Sequence, residues 1–201
     1  MAGTKLAVIY YSSTGTVHAM AERLAAAGEK AGATVRLRQV AELAPAEAIA
    51  SNAAWSQHFD RTKDEPRATA DDIVWADAVL LGSPTRYGNI ASQLKQFLDT
   101  LGPQWTQGLL ADKVYAGFTA TMTAHGGQET TLLALYNTIY HFGGIIVPPG
   151  YTDPLKFADG NPYGVSHVTG GNNDEPLTDV QYAALDHLTE RVLRIAAKLR
   201  D

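Results

Sequence analysis

Three short segments of this chain hold the residue types that could do chemistry. The first, Ser12-Ser13-Thr14-Gly15-Thr16, sets four hydroxyls and a glycine just ahead of a stretch with helical spacing. Backbone N–H groups at a helix start, with the helix dipole behind them, favour an anion, and the hydroxyls add neutral donors. The segment holds no Lys or Arg, which suits a small terminal phosphate held inside the protein. The same residues would also make an ordinary Ser/Thr cap and turn. In the second, Ser83-Pro84-Thr85-Arg86-Tyr87-Gly88-Asn89, Pro84 stiffens the chain and Gly88 lets it turn. Tyr87 offers a flat face and Asn89 paired donor and acceptor groups, a set able to grip a planar heterocycle. Alone, this segment reads first as a Pro/Gly/Asn turn with a surface Arg; beside the first segment, the ligand reading prevails. The third, Thr119-Ala120-Thr121-Met122-Thr123-Ala124-His125-Gly126-Gly127, is rich in small residues whose backbone amides can approach a ring edge closely. Its plainer reading is a connector capped by Thr123 or His125.

Several other chemistries fail. There is no Cys, which removes disulfides, thiolate nucleophiles and cysteine-ligated metals together, so redox chemistry must come from a borrowed cofactor. Only Gly15 stands where a dinucleotide fingerprint needs three spaced glycines, and no Gly-Lys-Ser/Thr closes a P-loop. Tyr10-Tyr11-Ser12 replaces the acids a receiver domain would carry, and no Gly-x-Ser-x-Gly elbow is present. His18, His58, His167 and His187 lack metal-ligand spacing, so no metal is expected. A net charge of −5, with acids and bases scattered, gives no basic face for nucleic acid. Met1 to Lys5 lead straight into a short apolar stretch, too short for a signal-peptide core or a membrane span. The expectation is a soluble, cytoplasmic protein.

The elements that must position these segments alternate. Lys5–Tyr11 is a near-continuous apolar run, suited to a strand buried on both faces. Met20, Leu24, Ala27 and Ala31 recur at helical spacing over His18–Ala31, and Gly32 stands at the C-cap. Thr34–Arg38 alternates as a strand. Strand and helix then follow at Ala78–Gly82 and Ser92–Thr100, and again at Lys113–Phe118 and Gln128–His141. A last strand, Gly144–Val147, is stopped by Pro148-Pro149-Gly150, and a last helix runs over Thr178–Lys198. This pattern predicts one α/β domain over 1–201, a flavodoxin-like three-layer α/β/α sandwich around a five-stranded parallel sheet of order 2-1-3-4-5. All three chemical segments then follow strands at one end of the sheet. Asn52–Asp72 and Tyr151–Pro176 do not fit the alternation and read as long loops, the second bordering the ligand site or a subunit contact.

At these segments the chain resembles the WrbA family, the type IV NAD(P)H:quinone oxidoreductases. The likeness is carried by Tyr10-Tyr11-Ser12 with Gly15, by Gly82 to Asn89, and by Gln93, Phe97-Leu98-Asp99 and Trp105. It continues through Gly126-Gly127-Gln128-Glu129, His141, Val147-Pro148, Gly150-Tyr151, Asn161-Pro162-Tyr163-Gly164 and Gly170-Gly171. The resemblance implies non-covalent FMN, NADH or NADPH as co-substrate, a quinone acceptor, and homotetramers with sites near subunit contacts. It assigns Ser12, Ser13, Thr14, Gly15, Thr16 and Val17 to the FMN phosphate, and Pro84, Thr85, Arg86, Tyr87, Gly88 and Asn89 to the flavin. Ala120, Thr121, Met122, Thr123, Ala124, His125, Gly126 and Gly127 would hold the pyrimidine end. It further implies that His141 faces the flavin as the catalytic group and that Thr14, Tyr87 and Trp105 meet the substrates. His141 also reads as a helix C-terminal cap, and Trp105 as a filler of an apolar gap. Met122, Ala124 and His125 stand in a loop that is glycine-richer in the family, and Thr14 stands where an aromatic is common. Two other functions share the fold: a one-electron flavodoxin-type carrier, and a regulatory partner of a repressor.

Overall fold

The computed structural model describes residues 3–200; Met1 and Ala2, part of the lead-in to the first strand, and Asp201 lie outside the described residues. In chain order the elements are β1 (Lys5–Tyr10), α1 (Thr16–Lys30), β2 (Thr34–Gln39), α2 (Ala46–Ala50), α3 (Ala53–Thr62), α4 (Ala70–Trp75), β3 (Ala78–Arg86) and β4 (Asn89–Ile90). They continue as α5 (Ser92–Asp99), α6 (Gly102–Thr106), β5 (Val114–Thr121), α7 (Gln128–Phe142), β6 (Ile145–Ile146), α8 (Leu155–Asp159), β7 (Val165–Val168) and α9 (Asp179–Leu199).

Side chains alternate across β1 as the two-residue strand period demands. Leu6, Val8 and Tyr10 join α1 and α9 in one apolar cluster, which holds Met20, Leu24, Leu185, Leu188 and Val192. Ala7, Ile9 and Tyr11 face the other way, among Ile73 of α4, Leu94 and Phe97 of α5, and Leu132 and Leu135 of α7. The sheet is thus buried on both faces, and β5 is buried along its whole length.

The strand path is β2-β1-β3-β5-β6, and all of its pairings are parallel. The order follows the winding expected from the sequence, but the sheet has seven strands rather than five. One addition is β4, which pairs antiparallel with the end of β3 through Thr85↔Ile90 and Arg86↔Asn89. The other is a division of the last position. β6 pairs with Val114 and Tyr115, and β7 takes over beside Phe118 to Thr121, both parallel to β5. Pro148 and Pro149 lack the N–H a ladder needs, so β6 cannot continue.

The stretch Asn52–Asp72 is not a loop over most of its length. Asn52 accepts a hydrogen bond from the Trp55 backbone N–H at 3.1 Å and starts α3. Its polar composition hid the helix, since few apolar residues mark a buried face. No helix among the described residues is long and apolar enough to cross a membrane.

Candidate functional site

The carboxyl ends of β1, β3 and β5 open into one cavity of about 560 Å³. Ser12, Ser13, Thr14, Thr16 and Val17 line it from the first segment, Pro84, Thr85 and Arg86 from the second, and Ala120, Thr121, Met122, Thr123 and Gly126 from the third. The three segments therefore converge, as their positions after parallel strands require. Two further walls were not anticipated residue by residue: Asn52 and Trp55 at the start of α3, and Thr169 with Gly171, Asn172 and Asn173 beyond β7. The latter lie inside the Gly/Asn-rich stretch read as bordering the ligand site. Asn52 and Trp55 carried one local signal, an N-cap residue followed three positions later by the residue it caps.

A web of short contacts fixes this rim. The Asn173 side-chain amide donates to the Thr14 hydroxyl at 2.6 Å, tying the segment after β7 to the first loop. Arg86 donates to Ser13 Oγ at 3.4 Å. The Thr85 and Thr131 hydroxyls share a hydrogen bond of 2.8 Å, which ties the second loop to α7. Thr121 receives the Gln128 amide at 3.1 Å, and the Gln128 oxygen accepts from Ser166 at 2.7 Å, so the third loop is braced from β7. Gly127 has φ +89°, and a Cβ there would sit 2.8 Å from the Gly88 Cα. The third loop can approach the second this closely because Gly127 carries no Cβ, while a Cβ on Gly88 would meet the Thr130 hydroxyl at 2.8 Å.

Two helices that follow the cavity-lining segments start without side-chain caps. α1 opens on Gly15 and α7 on Gly127, each with positive φ. By contrast α4 and α9 close theirs with capping boxes, Thr69 with Asp72 and Thr178 with Gln181. The first-turn N–H groups of α1 thus lack a side-chain acceptor, and Thr16 and Val17 line the cavity. Such a start accepts a phosphate. The residues present fit FMN: neutral donors for a terminal phosphate, and a cavity in the size range of small-molecule sites. A cation also stands near. A Cβ on Gly15 would meet Arg61 Nη2 at 3.4 Å and His58 Nδ1 at 3.5 Å, so α3 sets a guanidinium against a loop that has no charge of its own.

Charge around the rim is fixed by burial and donors. Burial pushes the Glu42 carboxyl up, but the N–H groups of Ala44 and Leu43 and the Gln93 and Tyr11 side chains outweigh it, holding its pKa below the usual carboxylate range. Burial first, then the Glu42 carboxylate, raises the Tyr11 phenol. Burial, reinforced by His18 and Arg61, lowers His58 to about 4. The Arg61 guanidinium donates to His58 Nδ1 at 3.1 Å, and His58 Nε2 is buried with no partner among the described residues.

Not every anticipated residue reaches this cavity. Gly15, Gly88 and Gly127 shape the backbone around it but are not among its lining residues. Tyr87 is fully exposed at the tip of the β3–β4 hairpin, where Tyr87 and Gly88 both take positive φ in a two-residue turn. Asn89 lines an adjoining cavity of about 540 Å³, which shares Trp55 and Arg86 with the first. Ala124 and His125 face away on the exposed side of the third loop. His141 and Trp105 meet each other elsewhere: the Trp105 indole N–H donates to the His141 carbonyl oxygen at 2.7 Å near the far end of α7. Within one chain these two do not join the cavity.

Comparisons with known proteins give the family and the fold. Residues 4–153 match the model of the NADPH-dependent FMN reductase family. The chain is 45% identical to an NAD(P)H dehydrogenase (quinone) of Deinococcus radiodurans, over 98% of either protein. It is 39% identical to one of Azorhizobium caulinodans, over 97% of this chain and 98% of that protein. Among solved structures, a flavodoxin, WrbA-like protein from Agrobacterium tumefaciens superimposes with a TM-score of 0.67 at 21% identity, covering 98% of this chain and 99% of the other. That likeness shows the flavodoxin-like fold. The chain belongs to the NADPH-dependent FMN reductase family and, within it, stands with the NAD(P)H dehydrogenases (quinone).

Proposed function

We propose that this protein is an FMN-dependent NAD(P)H:quinone oxidoreductase, read over 1–201 as one FMN-binding unit. The observation that carries this reading is the convergence of three strand-end loops on one cavity, above a helix start left without a side-chain cap. Ser12, Ser13, Thr14, Gly15, Thr16 and Val17 would hold the FMN phosphate. Pro84, Thr85 and Arg86, with Ala120, Thr121, Met122, Thr123 and Gly126, would hold the ring. When bound, FMN supplies two-electron chemistry between a nicotinamide and a quinone.

The protein's own part is to bind, orient and exclude water. The hydrogen-bonded rim keeps the loops from reorganising when ligands exchange. Nicotinamide and quinone would take turns against one ring face, so the oxidised nicotinamide leaves before the quinone enters. Initial rates with NADH and benzoquinone should therefore give parallel double-reciprocal lines; intersecting lines would mean that both ligands bind together.

We also infer a homotetramer, on the family resemblance and on the exposed Tyr87, Trp105 and Tyr140, which a second copy would cover. In that assembly His141 of a neighbouring copy would reach the flavin and donate to a quinone oxygen as negative charge develops on it. Light scattering tests the assembly, and a monomer at micromolar concentration would remove it. A one-electron carrier would instead accumulate a stable blue semiquinone on titration. A regulatory partner of a repressor would show neither flavin nor quinone turnover.

A further inference from the structure

Trp55 is the only aromatic residue lining the larger cavity among the described residues. It also lines the adjoining cavity, so with Arg86 it forms the partition between the two. Trp105, the residue the family likeness put over the substrate, is 52% exposed and lines neither cavity among the described residues.

The Trp55 indole is held in place. Its Nε1–H donates to Glu42 Oε2 at 3.0 Å. The same carboxylate receives the Tyr11 hydroxyl at 2.8 Å, the Gln93 amide at 2.6 Å and the N–H groups of Leu43 and Ala44 at 2.8 and 3.0 Å. Five donors on one carboxylate make a fixed anchor, and a ring so anchored loses little further freedom when a ligand packs on it. An indole gives a large flat apolar face, and stacked aromatic pairs prefer offset contact with planar rings.

Resting on the function proposed above, we propose that Trp55 is the stacking wall of the substrate site, against which the planar ring of a quinone packs, and that Glu42 is its positioning residue. The aromatic that defines the acceptor site then comes from α3 of the same chain. Acceptors with a flat conjugated ring would be favoured over non-planar ones of equal potential.

The test uses the full-length holoenzyme. In a Trp75→Phe/Trp105→Phe variant, Trp55 is the sole tryptophan, and adding benzoquinone should quench its emission. Trp55→Leu should raise the KM for benzoquinone roughly three- to tenfold, with kcat falling less than KM rises. Trp55→Phe, which keeps a ring, should stay within about twofold of wild type. Glu42→Leu should raise KM as Trp55→Leu does, and Glu42→Gln, whose amide oxygen still accepts from the indole, should restore most of the loss. If wild type binds FMN and turns over benzoquinone, yet lone-Trp55 emission is unquenched or KM is unchanged in Trp55→Leu, the inference falls and the oxidoreductase reading stands. If wild type fails to bind FMN, the oxidoreductase reading falls first. Should Trp55→Leu not fold, the emission experiment decides alone.

Discussion

At the residue scale, Gly15 and His58 show how tightly the loop after β1 is packed. Gly15 has φ +108°, a region that side-chain-bearing residues rarely adopt, and its open side faces Arg61 and His58. A valine there carries a backbone cost of about 1–3 kcal/mol and crowds both neighbours. Gly15→Val should therefore weaken FMN binding by roughly tenfold or more while the fold persists; unchanged affinity in a fluorescence titration would take the loop out of the site. His58 is 2% exposed and its pKa is held at about 4, below its ordinary 6.5, by burial and then by His18 and Arg61. The unfolded chain takes up that proton first. The stabilisation is fully present above pH 6.5 and drains as pH falls towards 4. The melting temperature of wild type should drop more steeply across that window than that of His58→Gln; equal slopes would mean that His58 does not titrate differently in the folded state. That the hydroxyl-bearing residues of the three segments gather around one strand-end cavity was legible from their types and their places after strands. Arg61 was not, because its approach to Gly15 depends on how α3 packs, and no local pattern records that.

Among the elements, helix starts differ in how their first N–H groups are capped. α1 starts uncapped at the cavity, α7 starts uncapped just after the third loop, and α9 begins with a full capping box. Strands β1, β3 and β5 and helices α1, α5, α7 and α9 could be read from apolar runs and helical spacing, because each buries a regular face. The short helices α2, α6 and α8 could not, being too brief to show a period. β7 was hidden likewise, since only four residues pair with β5. The segment between β6 and β7 is held by an ion pair of Lys156 and Asp159, both side chains fully buried. Burial dominates there, lowering the Lys156 pKa and raising that of Asp159 despite their pairing. Asp159→Asn leaves the ammonium buried without its counter-charge and should cost about 3–5 kcal/mol in urea denaturation. A Lys156→Met/Asp159→Leu double variant should lose much less. Equal losses would show that the pair itself, rather than the stranded charge, sets the cost.

For the whole molecule, a sheet buried on both faces confines ligand chemistry to the strand ends, which is why fold and cavity position were legible together. The number of strands was not, since the Pro148-Pro149 interruption splits one sheet position between β6 and β7. Nor could His141 and Trp105 be placed, because a single chain brings them to each other and not to the cavity. The central claim is that the strand-end loops close around one flat phosphorylated ring system. Titrating the purified protein with FMN, while following flavin absorbance and melting temperature, tests it most directly. The account predicts a yellow, saturable complex and a melting temperature that climbs with ligand concentration. A colourless protein whose melting temperature does not move at saturating FMN would contradict it.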